Sequence, residues 1–313
     1  MFKFTMIKIF LGLTPFIFIT FLGFLFGRFK ILDLSHARIL NLFLFYIAVP
    51  ALIINFVAQS EIGQIDVNQI ISYLLMQTLC GSFTFFITLK FFKRPISESI
   101  IWSLTVALSN HVTLLLPITE IYFDEKVITQ VASIILMDGV ILLSVITFFL
   151  ELVTKKNIRF LLFIKNVIFN PMILSILIGL FLFIFNFNIK ETPIEYTLEK
   201  LASCVSPVGL FAIGIILSFY TKEVVNKLTI TISVLKLFVS PIILILISYV
   251  IFNSGAPNDI PGAFFVSVAP CGVTSIVLCS AYNVSPENII KAIFISTFLS
   301  ILTIFFTIQY LTL

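Results

Sequence analysis

The sequence predicts an all-α integral membrane protein: ten transmembrane helices in two inverted five-helix repeats, with helices 4 and 9 discontinuous. Three observations carry this. The chain is 60% hydrophobic and only 11% charged, with a mean hydropathy of +1.18, far from the composition of a soluble globular domain. It divides into ten apolar runs of about 20 residues, the length that crosses a bilayer as a helix. Two of these runs break at mid-length and carry related residues at the break, Asn110 to Thr113 and Pro270 to Thr274.

The runs lie at roughly 5–27, 39–58, 68–89, 99–121, 127–150, 164–187, 201–220, 233–252, 260–281 and 288–311. The first has Lys3 and Lys8 ahead of an apolar stretch, as a secretory signal would. It is too long for one, lacks a small-residue cleavage site, and is followed by Arg28 and Lys30. The second holds Ala48-Val49-Pro50-Ala51-Leu52-Ile53. The fourth opens downstream of Pro95, contains Ser109-Asn110-His111-Val112-Thr113 and closes on Tyr122. The fifth carries Asp138 near its middle, and the seventh holds Val205-Ser206-Pro207-Val208-Gly209-Leu210-Phe211. The ninth opens at Pro261, contains Pro270-Cys271-Gly272-Val273-Thr274 and closes on Tyr282. The runs and their loops leave no stretch for a soluble catalytic or ligand-binding domain.

Five spans per half is an odd number, so a duplicated unit must insert upside down. Pro50 and Pro207 are offset by 157 residues, Thr113 and Thr274 by 161, and one loop-sized difference reconciles the two registers. Residues 1–157 are therefore expected to form an N-terminal repeat and 158–313 its inverted copy. A helix interrupted inside a bilayer exposes N–H and C=O groups that lipid cannot satisfy, so such breaks persist where they line a polar cavity. A pair in corresponding places marks the binding site of a secondary transporter.

Basic residues favour cytoplasmic loops. Arg28, Lys30, Arg38, Lys90, Lys93, Arg94, Lys155, Lys156, Arg159, Lys165, Lys222, Lys227, Lys236 and Lys291, 14 of the 19, follow odd-numbered spans. Both termini are thus expected outside, and the protein to be multi-pass in the plasma (inner) membrane. The net charge of +4 needs no nucleic-acid partner, since topology accounts for it. Cys80, Cys204, Cys271 and Cys279 all fall inside predicted helices without ligand spacing, which supports neither disulfides nor a metal site.

These residues resemble the auxin efflux carrier and malonate permease family of membrane transporters. The resemblance runs through Leu40-Asn41 to Pro50-Ala51-Leu52-Ile53, Asn110 with Pro117, Asn170-Pro171 with Gly179, Pro207 to Gly214, and Ala269 to Thr274 through Tyr282 to Ser296-Thr297. Val112 and Leu115 replace glycines usual between the span-four asparagine and proline, and Cys271-Gly272 replaces a usual small pair. The resemblance implies a fold like that of bile-acid symporters and sodium/proton antiporters. There spans 4 and 9 cross at their breaks, spans 1, 2, 6 and 7 form a scaffold, and spans 3–5 and 8–10 form a moving core.

Helix N-termini at a crossing favour anions, so the expected cargo is a small organic anion, a carboxylate above all. The substrate-binding candidates are Asn110, His111, Thr113, Pro270, Cys271, Gly272, Thr274, Ser275, Pro50 and Pro207. Each has a plainer role. Asn110 and His111 could hydrogen-bond between packed helices, a contact worth about 1 kcal/mol. Thr113, Thr274 and Ser275 cap exposed backbone as readily as they touch a ligand, and Pro50 and Pro207 kink helices. Asp138 is the coupling candidate, because a mid-bilayer carboxylate costs at least about 2.5 to 3.5 kcal/mol and is retained for function. Beside an anion it must be neutralised, which favours a proton, with His111 assisting, over sodium.

An enzyme is not expected. There is no second central aspartate, no H-E-x-x-H and no phosphate-binding loop, and no cofactor is implied. A channel, an uncoupled uniporter or a transporter-like sensor would keep the same fold, and dimerisation through scaffold helices is left open.

Overall fold

The computed structural model describes residues 2–59, 66–154, 169–185, 187, 189–220, 225–254 and 256–312. The expected repeat boundary at 157/158, the start of the sixth run, Lys155, Lys156, Arg159, Lys165 and Lys222 lie outside the described residues, as do the side chains of Lys3 and Lys8. Among the described residues the elements are helices, with no strand. In chain order they are α1 (Phe2–Arg28), α2 (Leu34–Gln59), α3 (Val67–Lys90), α4 (Ile96–Ala107), α5 (Leu116–Tyr122), α6 (Glu125–Thr154), α7 (Pro171–Ile184), α8 (Pro193–Phe219), α9 (Lys227–Phe252), α10 (Pro261–Ser267), α11 (Thr274–Ala281) and α12 (Glu287–Thr312).

Seven of these helices, α1, α2, α3, α6, α8, α9 and α12, are long and apolar enough to cross a membrane. The other three expected spans fall on shorter pieces: α4 with α5, α7, and α10 with α11. Start signals explain several boundaries. Asp33 caps α2, its Oδ1 accepting from Ser35 N and His36 N, and these bonds hold its carboxyl well below the usual carboxylate range. Asp66, Asp124 and Asn226 cap α3, α6 and α9 in the same way. Proline opens α7, α8 and α10, where its missing N–H has no helical partner to lose.

Two packing groups are evident. α1 lies along α8, and α2 against α7 and α8. α3 packs on α4 and α9, α9 on α12, α10 on α6, and α11 on α4. Isoleucine, leucine, phenylalanine and Trp102 from the second group fill the main core, while Phe18, Phe21, Leu79, Phe83, Phe181 and Phe298 point outward, as lipid-facing positions do.

Candidate functional site

The helix in the fourth run stops at Ala107, and Leu108 turns extended (φ −80°, ψ 131°). Helical backbone resumes with a π turn at His111–Leu115 that leads into α5. In the ninth run the gap spans Val268 to Val273, between α10 and α11. The two gaps pair as an antiparallel bridge: Asn110 N donates to Pro270 O at 2.9 Å, and Gly272 N donates to Leu108 O at 2.8 Å. Side chains meet further orphan groups. Gln77 Nε2 donates to Ala107 O (3.1 Å), Ser109 Oγ to Val266 O (2.9 Å) and Thr303 Oγ1 to Val268 O (2.8 Å), while Cys271 N donates to Ser296 Oγ (3.2 Å). Each break thus satisfies the other, as unpaired backbone far from water requires. Only glycine fits at 272, where a Cβ would lie 2.7 Å from Leu108 Cγ.

Charged side chains flank this junction on two sides. Asp138, 1% exposed, begins the π turn Asp138–Leu142 inside α6. Its Oδ1 accepts from Gln77 Nε2 at 2.7 Å, and its Oδ2 lies 2.7 Å from His111 Nε2. Lys236, fully buried in the π turn Leu235–Val239 of α9, donates from Nζ to Ser109 Oγ at 2.7 Å. That hydroxyl spends its only hydrogen on Val266 O, so it accepts from both Lys236 and the Tyr73 hydroxyl 3.0 Å away. Lys236 and Asp138 are close enough to act on each other's charge.

Beside the junction is a cavity of about 220 Å³. Asn110, His111, Thr113, Thr274 and Asp138 line it, facing Asn41 and Phe45 of α2 and Asn170 at the start of α7. Pro270, Cys271, Gly272 and Ser275 are not in its wall: the first three belong to the break itself and Ser275 to the first turn of α11, and Cys271 and Ser275 are fully buried. Pro50 and Pro207 also stay out of the lining, although their neighbours Val49 and Gly209 are in it. Thr113 Oγ1 donates to Asn110 Oδ1 at 2.5 Å, which leaves Asn110 Nδ2 buried without a partner. His111 Nδ1, Gln77 Oε1 and Ser275 Oγ are likewise buried and unmatched.

Lys236 corrects the charge tally of the sequence. Counted there with the loop cations, it is instead inside α9 and out of contact with water. Gln77, Tyr73 and Ser109 join the network through partners distant in sequence, which no local pattern announces.

A family model described as membrane transport protein matches residues 8–308. No individual curated protein matches the chain. With the match running from α1 into α12 and across both paired breaks, the chain belongs to the membrane transport protein family of the auxin efflux carriers.

Proposed function

We infer that this membrane transporter is a secondary carrier of a small organic anion, a carboxylate, which crosses the plasma membrane as a core moves past a scaffold. The observation that carries this reading is the cavity at the paired breaks. There an unpartnered Asn110 Nδ2 lies beside two helix starts, at His111 and Thr274, whose backbone dipoles favour negative charge. The two packing groups supply the moving parts: α1, α2, α7 and α8 as scaffold, the rest as core, in two inverted five-helix repeats with both termini outside.

A proton is the favoured coupling ion. Both Asp138 oxygens are already engaged, Oδ1 by the Gln77 amide N–H and Oδ2 by His111 Nε2, and a sodium shell would need those lone pairs. One observation favours a second reading. Lys236 is a built-in cation near Asp138, and if it alone balances that carboxylate the protein is a uniporter that needs no driving ion.

Transport in proteoliposomes separates these. Asn110→Ala is expected to abolish malonate uptake with the melting temperature retained, and unaltered kinetics would remove the site assignment. A pH gradient should drive accumulation, a sodium gradient should not, and Asp138→Asn should lose the pH-driven component at neutral pH. Indifference of the wild type to both gradients selects the uniporter.

A further inference from the structure

His111 holds Asp138 2.7 Å from its Nε2, while its Nδ1 is buried and unpartnered although the residue lines the cavity. The protonation of this pair fixes what Nδ1 presents. Without an added proton, the ring is neutral and keeps its single hydrogen on Nε2, towards the carboxylate, because the reverse tautomer would set a lone pair against an anion. Nδ1 is then a bare acceptor. With an added proton, the pair is an imidazolium against a carboxylate, or a neutral ring accepting from a protonated Asp138. Nδ1 carries hydrogen in both arrangements, so the outcome does not depend on which residue owns the proton. A bare Nδ1 repels a carboxylate, and Nδ1–H donates to it.

Charge points the same way. Asp138 and Lys236 with a neutral ring sum to zero, and one added proton leaves a single positive charge for one carboxylate to balance. The titratable groups around Asp138 and Lys236 are Tyr73 and Cys80 on α3 and Cys271 in the second break; Glu120 and Tyr122 lie further along the ring's own segment, and α6, which packs on the His111 turn, carries Glu125 and Lys126 at its start. The 205–219 part of α8, which packs on the His111 turn, brings none.

We propose that His111 Nδ1 is the atom at which the coupling proton meets the substrate: the anion binds only the protonated His111–Asp138 pair, and one proton travels with each anion. This rests on the anion-carrier reading and moves the proton contact from Asp138 to His111. A proton from solution joins the pair, Nδ1–H donates to the substrate carboxylate, and the proton leaves again when the anion does. Asp138, held by Gln77, is a positioning residue that fixes the ring and its tautomer.

The test is calorimetry on the full-length protein with malonate and acetate as probes, in buffers of different ionisation enthalpy. The wild type should take up one proton per bound anion, and its affinity should fall about tenfold per pH unit above the protonation range of the pair. His111→Gln keeps an amide towards Asp138 but offers no Nδ1–H, so it should bind either anion much more weakly than the wild type at every pH. Asp138→Asn keeps the ring and should still take up a proton with the anion in acidic buffer. Wild-type affinity in His111→Gln, or no proton uptake in the wild type, overturns the proposal.

Histidine ¹⁵N resonances give a readout that needs no variant at the site. The chain has two histidines, and His36, exposed at the start of α2, is assigned through His36→Gln. Malonate at fixed pH should bring hydrogen to His111 Nδ1, either as a second protonated nitrogen or by moving the single one from Nε2, and unchanged resonances with malonate bound overturn the proposal. If neither probe binds at any pH, the carrier reading falls first, which separates that failure from this one.

Discussion

Lys236 lies nine residues beyond Lys227, where α9 begins, or about 13 Å into the helix at 1.5 Å per residue. Hydropathy starts this span at 233, which leaves the lysine looking like a flank. The helix begins earlier because Asn226 and Thr229 form a reciprocal cap, a signal that polar composition hides. Asn110, His111 and Asp138 were legible because each interrupts an apolar run. Gln77 was not, since its meaning comes from contact with Asp138, 61 positions away. Removing one of two opposite buried charges leaves the other less compensated. Lys236→Met is therefore expected to lower the melting temperature and transport together, while Lys236→Met with Asp138→Asn should melt higher than Lys236→Met alone. A double-mutant cycle on the four proteins measures this. Simple additivity would show that the two charges do not couple.

Among elements, the contact of α1 with α8 depends on the absence of side chains. A Cβ at Gly23 would lie 2.1 Å from Phe211 O, and one at Gly214 would lie 2.0 Å from Thr20 O, so the two backbones touch. Small residues allow such approach between membrane helices. Gly23-Phe24-Leu25-Phe26-Gly27 is visible in the sequence as a glycine pair one turn apart, but its partner helix is not. Gly214→Ala should destabilise by roughly 1 to 3 kcal/mol through overpacking. Gly81→Ala, where the nearest atom is the movable Ser103 Oγ at 2.9 Å, should cost less, as thermal melting of the two would show. At the junction, Gly272→Ala should push Leu108 away, part the breaks, and lower transport as well as stability. The π turns at Leu44–Ala48, His111–Leu115, Asp138–Leu142 and Leu235–Val239 each place a residue at the cavity or its network. Such turns cluster at functional sites, yet a 3.6-residue period gives no warning of one extra residue.

For the whole molecule, counting spans and counting long helices give different answers, because a broken helix is apolar along its length but short in each piece. Two further cavities bear on access. One of about 560 Å³ is lined by Arg38 and shares Asn41, Phe45 and Val277 with the central cavity; the other, of about 360 Å³, is lined by Glu120 and Glu199 and shares only Val112. Arg38 follows the first span, on the side that retains 13 of the 19 basic residues once Lys236 is subtracted from 14, so the better-connected end is expected to face the cytoplasm. In a Cys204→Ser background, Asn41→Cys should react with a membrane-impermeant thiol reagent from the cytoplasmic face, and Ser206→Cys from the outer face. Malonate should slow labelling of Thr274→Cys, which borders the central cavity. The opposite sidedness would invert the orientation. Simultaneous labelling of Thr274→Cys from both faces would replace the carrier with a channel, since alternating access closes one path whenever the other is open.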